Sequence, residues 1–304
     1  MRPFGFGRAT NGAADHAPAL LEPRDLAQLS LSWSSAFTMR DLEQHLITNP
    51  GLSWWVPSSQ EYLIGGPWRH RQEIVAIQEL NGRLRNEDLV GAMVARCRER
   101  GHRLVVMLDQ YETRREGFYT KIGFNLLQHI IIYELPRLPR QIPAPTRLRF
   151  VPISDPRHPD LLQVDHAAFP WLWWNSAGEF RAYADLYGVE IFVAYEPSGL
   201  PVAYVGLTSY RGWGHLDRIA VIPTRQGSGY GLEALNFAIG RLGELGARRV
   251  GLSTQADNLR SQHLYERYGF RRTTGSDYMI YGQWLDGVDS RQEAVGRGTV
   301  STDT

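Results

Sequence analysis

IAVIPTRQGSGYGLEAL, residues 219–235, runs from a β-branched strand through Pro223 into Gly227, Gly229 and Gly231, and then straight into an amphipathic helix. Glycines lack a Cβ, so oxygen atoms of an anion can approach the backbone N–H groups at the helix N-terminus, where the helix dipole favours negative charge. The segment therefore reads as an anion-binding loop. Leu232 stands where a dinucleotide-binding fingerprint needs its third glycine, and no Lys-Ser/Thr pair closes the loop as it would in a P-loop.

Working outward, Leu232, Leu235, Ala238, Ile239 and Leu242 recur at helical spacing, which predicts a helix over 229–244 stopped by Gly246. A strand near 248–254 follows, then a helix over 258–267 capped by Asn258 or Asp257, and a last pair of strands over 270–284. Upstream, strands are expected near 147–152, 189–195, 201–210 and 214–222, the last two joined through YRGWG, with helical stretches near 159–168 and 176–187. Helices covering a mixed sheet give an α/β (α+β) unit.

The first half of the chain carries a second copy of several of these signals. FYTKIGF at 118–124 matches LYERYGF at 264–270, pairing Tyr119 with Tyr265 and Gly123-Phe124 with Gly269-Phe270; ERGHRLVV matches ELGARRVG, pairing Glu99, Gly101 and Arg103 with Glu244, Gly246 and Arg248. At the same offset of 145, Trp68 pairs with Trp213, His70 with His215 and Ile74 with Ile219. Between the copies, Pro136, Pro139, Pro143 and Pro145 can continue neither a helix nor a central strand. The domain map is a poorly ordered tail over 1–25, a first domain over 26–135, a linker over 136–146, a second domain over 147–285 and a tail over 286–304.

Gln226-Gly227-Ser228-Gly229-Tyr230-Gly231 resembles the Gln/Arg-x-x-Gly-x-Gly/Ala pyrophosphate loop of the GNAT superfamily of acyl-CoA N-acyltransferases, and NLRSQHLYERYGF follows in the order that family shows. The resemblance spans residues 146–285, with 28–135 as a degenerate copy. It implies two GNAT-like domains, each a mixed, mostly antiparallel twisted sheet flanked by helices. It also implies acetyl-CoA as co-substrate, no metal, and direct transfer of the acetyl group to a primary amine in a ternary complex.

By the same resemblance, the strand before the loop splays from its neighbour, so that the backbone of Ile219, Ala220 and Val221 holds the pantetheine arm and thioester. Residues 226–231, Asn258 and Ser261 complete the cofactor contacts, and Tyr265 aligns with a tyrosine that protonates the CoA sulfur in many members. His215 and Asp217 share one face of their strand by period-two alternation, and His215 falls where some members carry a basic glutamate. Both are candidate bases, although His70 in the equivalent place favours a structural role, and a water chain could replace both. Trp171, Trp173 and Trp174 lie where the family builds its acceptor pocket, or else pack against the first half.

In the first half, the positions aligned with the loop are Asn81-Gly82-Arg83-Leu84-Arg85-Asn86, so side chains replace two glycines and no CoA site is expected there. That half serves for packing or acceptor binding. The other reading of the whole chain is a regulatory or scaffold protein that binds acyl-CoA without turnover.

Composition bounds the partners. Lys+Arg 33 against Asp+Glu 32 gives a net charge of +1, with no global footprint for nucleic acid. No apolar run reaches membrane-spanning or signal-peptide length, and Cys97 is the only cysteine, so no intrachain disulfide forms and a cytoplasmic setting is expected. A homodimer is left open as an expectation.

Overall fold

The computed structural model describes residues 16–110 and 116–286. The first half contains β1 (Ala19–Leu20), α1 (Met39–Thr48), β2 (Trp54–Val56), β3 (Glu61–Trp68), β4 (Arg71–Asn81), α2 (Asn86–Glu99), β5 (Leu104–Gln110), α3 (Glu116–Lys121) and β6 (Asn125–Leu135). The second contains β7 (Arg149–Pro152), α4 (Pro159–Ala168), α5 (Ala177–Ala184), β8 (Val189–Tyr195), β9 (Pro201–Tyr210), β10 (Trp213–Val221), α6 (Tyr230–Glu244), β11 (Arg249–Gln255), α7 (Leu259–Tyr268), β12 (Arg271–Arg272) and β13 (Tyr278–Trp284). Each half repeats one plan: an antiparallel hairpin (β3–β4, β9–β10), a crossover helix (α2, α6) and a strand returning parallel to the hairpin (β5, β11).

The described strands form one continuous, mostly antiparallel sheet in the order β1-β2-β3-β4-β5-β13-β6-β11-β10-β9-β8-β7, with β12 beside β6. The last strands of the two halves are exchanged. β13 pairs with β5 of the first half from Tyr278↔Gln110 to Trp284↔Leu104, while β6 pairs with β11 of the second half from Val250↔Leu135 to Gln255↔Ile130. The strand over 278–284 thus does not close the sheet of its own half, as the linear reading expected; β13 and β6 also pair with each other and seal the junction.

The exchange is a matter of core packing. Ile131, Tyr133 and Leu135 of β6 are buried among Leu235, Ile239 and Leu242 of α6, and Tyr281 of β13 packs on the α2 core, its ring stacked on Tyr119 at 3.6 Å. A junction cluster draws Ile74, Leu104 and Val106 from one half, Leu172, Trp173 and Ile280 from the other, and Ile130 from β6. At roughly 1.5–3 kcal/mol per fully buried large aliphatic side chain, each swapped strand is bound firmly into the sheet it enters.

Two of the three repeated sequence signals are helix stops. Gly101 and Gly246 both adopt left-handed backbone (φ 74° and 86°), with the next residue's N–H bonded back five positions, His102 to Cys97 and Ala247 to Leu242. Gly123-Phe124 and Gly269-Phe270 do the same after α3 and α7, and each Phe turns into a core. The third match is out of register. Trp68 ends β3 and His70 sits in the β3–β4 turn with φ 52°, whereas Trp213 and His215 lie beyond the corresponding turn, on β10. Ile74 opposes Leu104 as Trp213 opposes Arg249, so the hairpins align at a different offset from the helices and His70 is no counterpart of His215.

The N-terminal tail is shorter than the expected 1–25: Ala19–Leu20 pairs with β2 and Leu21 is buried. Residues 1–15 of that tail, and 287–304 of the other, lie outside the described residues.

Candidate active site

The site begins where β10 and β11 part. Their parallel register runs from Trp213↔Arg249 to Leu216↔Leu252 and ends there, while β10 continues along β9 to Val221. A bulge at Asp217 interrupts the β9–β10 register between Leu216 and Arg218. The bulge moves the alternation by one residue: Gly214 and Leu216 face the α6 core before it, and Ile219 faces that core after it. As a result Asp217 and Arg218, neighbours in sequence, both point to the side covered by α4 and α5.

Asp217 is held by hydroxyl donors: Tyr183 of α5 donates to Oδ2 at 2.6 Å and Thr208 at 2.7 Å, while His215 Nδ1 lies 2.8 Å from Oδ1. The shared face assigned to His215 and Asp217 is therefore present. A Cβ on Gly206 would stand 3.0 Å from the Tyr183 hydroxyl, so glycine there leaves Tyr183 room to reach across. Burial, with the Asp217 charge beside it, pushes the Tyr183 phenol well above its ordinary value.

Arg218 enters a buried knot. It donates from Nη2 to Asp165 Oδ1 at 2.5 Å and to the Trp173 carbonyl at 2.9 Å, and from Nε to the Tyr204 hydroxyl at 2.9 Å; Tyr204 itself donates to Asp165 Oδ1 at 2.5 Å. Asp165 is fully buried, so its charge is tolerable only because Arg218 and these donors surround it. Burial alone would lower the Arg218 pKa, but Tyr204 and Asp165 overcome that and raise it.

A cavity of about 260 Å³ occupies the fork. Asp217, Arg218 and Ile219 of β10, Ser253–Gln255 of β11, and Asn258, Ser261 and Tyr265 of α7 line it. Trp173 and Phe169 form an aromatic wall, and Tyr278 of β13, Ile130 of β6 and Arg69 of the β3–β4 turn complete it. Tyr265 is 4% exposed, and burial pushes its phenol up to about 12 against a partial opposing bond from Ser261. Asn258 caps α7 by accepting from the Ser261 N–H at 3.2 Å. Of the candidate bases, Asp217 lines the cavity and His215 stands behind it. Trp173 belongs both to the cavity and to the junction core, while Trp171 stacks on Trp284 at 5.4 Å and Trp174 on His166 at 4.7 Å. Alternation alone could not show Arg218, because the bulge that turns it inward leaves no mark in sequence; Arg69 was hidden by the turn register.

The glycine loop follows β10 directly. Gly229 is the N-cap of α6 with φ 90°, and no side chain caps the helix. A Cβ at Gly227 would meet nothing within 4 Å, and one at Gly229 would stand 2.9 Å from Arg147 Nη2. Arg147 lies over the loop, donating to the Ser228 carbonyl at 2.7 Å and stacking on Tyr230 at 4.8 Å. Gln226 braces the loop rather than pointing outward: its amide donates to the Val221 carbonyl at 3.0 Å and its Oε1 accepts from Arg260. The Ser228 hydroxyl turns back to the Arg225 carbonyl. An uncapped helix start with two nearby guanidiniums fits a diphosphate.

The corresponding place in the first half is filled from within. The Glu61 carboxylate accepts from the N–H groups of Arg83, Leu84 and Arg85 at 2.8, 3.1 and 2.8 Å, at the start of α2. Burial would raise the Glu61 pKa, but these three donors overcome it and hold it below the ordinary range.

The acetyltransferase (GNAT) family model matches residues 155–270, a span that includes the fork of β10 and β11 and the glycine-capped start of α6. Residues 155–270 form a GNAT acetyltransferase domain. That domain is continuous from α4 to the end of α7, and its sheet is completed by β6 from outside the match. The fold of the wider chain is similar to a GCN5-related N-acetyltransferase from Sphaerobacter thermophilus (TM-score 0.54, 17% identity, 91% of this chain and 98% of that one). It is also similar to a tandem GNAT protein from the clavulanic acid biosynthesis pathway (0.52, 14%, 90% and 99%) and to a conserved protein from Enterococcus faecalis V583 (0.61, 10%, 88% and 72%). A comparison with curated proteins gave no match. Among the described residues no helix is long and apolar enough to cross a membrane.

Proposed function

We propose that the chain transfers the acetyl group of acetyl-CoA to a primary amine by direct attack in a ternary complex. The observation that carries this reading is the fork between β10 and β11 leading into the uncapped start of α6, with Tyr265 and Asp217 on its walls. In this reading the N–H groups of Gly227 to Gly231 hold the diphosphate, with Arg147 and Arg260 beside it. The backbone of Ile219, Ala220 and Val221, which has no ladder partner on its β11 side, lies along the pantetheine and thioester.

Asp217, oriented by Tyr183, Thr208 and His215, takes a proton from the acceptor's ammonium. The freed nitrogen lone pair forms the C–N bond to the thioester carbonyl, the C–S bond breaks, and Tyr265 gives its proton to the departing sulfur. The proton gained by Asp217 leaves through solvent and Tyr265 is reprotonated, so the products are an amide and free CoA. Cys97 has no part in this reading: it is fully buried and burial pushes its thiol up to about 12, which leaves it a poor nucleophile.

The first half is read as a degenerate copy that holds no CoA because Glu61 supplies the negative charge an incoming diphosphate would bring. The test is thiol release by purified protein with acetyl-CoA and a broad panel of amines. Release that depends on an amine and falls in Tyr265→Phe supports the reading; no release above background with any amine refutes it.

A further inference from the structure

Among the described residues, Arg69 is the one strongly basic group that the first half sends into the cavity of the second. It sits in left-handed backbone (φ 52°) at the tip of the β3–β4 turn, a position fixed by Trp68 Nε1 donating to the Leu172 carbonyl at 2.9 Å and by Ser176 Oγ donating to the Arg69 carbonyl at 3.0 Å. Its guanidinium lies 5.4 and 5.0 Å from the centres of the Trp68 and Trp173 rings, which meet edge to face 6.2 Å apart on one side of it, and Nη1 donates to Asn175 Oδ1 at 2.6 Å. Its side chain is 19% exposed.

The charges around it do not match. Arg218 has a buried carboxylate of its own in Asp165, at 2.5 Å. The carboxylate nearest Arg69 is Glu179, whose Oε1 is 4.0 Å away and whose Oε2 faces His70 Nδ1 at 2.8 Å on the rim. The remaining carboxylate on the wall, Asp217, is held by Tyr183, Thr208 and His215. Burial, and then the charge of Arg218, lower the Arg69 pKa to about 10, as expected of a cation short of a close counter-ion. Asp217 and Arg69 thus give one cavity an acidic and a basic wall, and at about 260 Å³ it lies below the roughly 300–1,000 Å³ of sites for drug-sized ligands.

We propose that the acceptor is a small amine carrying a carboxylate, bound with its carboxylate on Arg69 and its amino group toward Asp217, so that the first half selects the substrate of the second. This rests on the transferase reading above only for the direction of the amine. A planar guanidinium with one edge committed to Asn175 presents the other to a carboxylate, and the Trp68 and Trp173 indoles packed beside it limit the water that would weaken the pair.

The test uses the intact chain and matched pairs: leucine against 3-methylbutylamine, and phenylalanine against phenethylamine, with acetyl-CoA and thiol release as the readout. The proposal expects kcat/KM to favour the carboxylate member by about tenfold to hundredfold, the effect of one buried charge-assisted hydrogen bond. It expects Arg69→Gln to remove that preference and Arg69→Lys to restore part of it. Equal or better use of the decarboxylated amines by the unaltered protein overturns the proposal, whether or not the variants fold. A binding arm decides independently of turnover. In calorimetry with CoA present, N-acetyl-leucine and N-acetyl-phenylalanine should bind at least tenfold more tightly than their methyl amides, and equal or undetectable binding of both overturns the assignment. Carboxylate-selective binding without thiol release for any amine would leave the acceptor site standing and remove the transferase reading.

Discussion

The exchanged strands should make the two halves unfold as one body, and Ile280 is the residue through which to see it. Ile280 is fully buried on β13, opposite Leu108 of β5 and Gln128 of β6, in a cluster that takes side chains from both halves. Ile280→Ala removes its larger aliphatic groups from a site where backbone on both sides limits collapse, so the loss falls within the about 2–5 kcal/mol typical of such truncations. At about 2–4 °C of midpoint per kcal/mol, the shift is roughly 4–20 °C. The assay is scanning calorimetry of the unaltered and variant proteins, with acetyl-CoA added to mark the half that carries the loop. A single transition moving as a whole is expected, with acetyl-CoA raising all of it. Two transitions, of which the substitution moves one and acetyl-CoA only the other, would refute the coupling drawn from the exchange.

Tyr265→Phe removes the proton donor while keeping the ring in its core, so kcat should fall by about 10²–10³-fold with KM for acetyl-CoA within about twofold, measured by thiol release. Gly229→Ala places a side chain at φ 90°, a strain of about 1–3 kcal/mol, and should raise KM for acetyl-CoA by about tenfold or more with the amine KM little changed. Glu61→Ala leaves three backbone donors at α2 without their acceptor; it should cost about 1–3 kcal/mol in urea unfolding and leave acetyl-CoA affinity as it was. Tyr265 and Tyr62 have phenols raised to about 12, so the folded chain holds their protons more tightly than the unfolded chain. Their contribution is complete below about pH 10 and is lost as pH climbs from about 10 to 12, which alkaline unfolding followed by tyrosinate absorbance checks. Glu61 and Glu233 act in the opposite sense, since donors hold both below the ordinary carboxylate range and stability should decline as pH falls below about 4.5.

Much of the second half could be read directly, because its signals are local. Helix α6 shows its apolar stripe and Gly246 its stop, since each depends on neighbours within a few residues. The likeness of the halves was legible for the same reason where it rested on helix stops at Gly101, Gly123, Gly246 and Gly269. It failed at Trp68, His70 and Ile74, because the segment from Trp213 to the start of α6 at Tyr230, with its bulge and glycine loop, is longer than the one from Ile74 to the start of α2 at Asn86, and a fixed offset steps over the difference. Correcting that register removes His70 as the counterpart of His215 and leaves His215 beside Asp217 on its own evidence. The exchange of β6 and β13 could not be read, because an alternating strand states which faces are apolar and not which sheet receives it. Arg69 and Arg218 were hidden by the two features that aim them inward, a left-handed turn and a bulge, neither of which their residue types demand. Glu61 lies far from α2 in sequence, so the missing glycines marked the first loop as altered, but only the fold showed what fills it.

The glycine-capped helix start at residues 226–231 is open to a diphosphate, whereas the start of α2 is closed by Glu61. Isothermal titration of the intact protein with acetyl-CoA, repeated on Gly229→Asp with its fold checked by circular dichroism, tests it most directly. The account predicts one site per chain and its loss in the variant; two sites, or unchanged affinity in a folded variant, would contradict it.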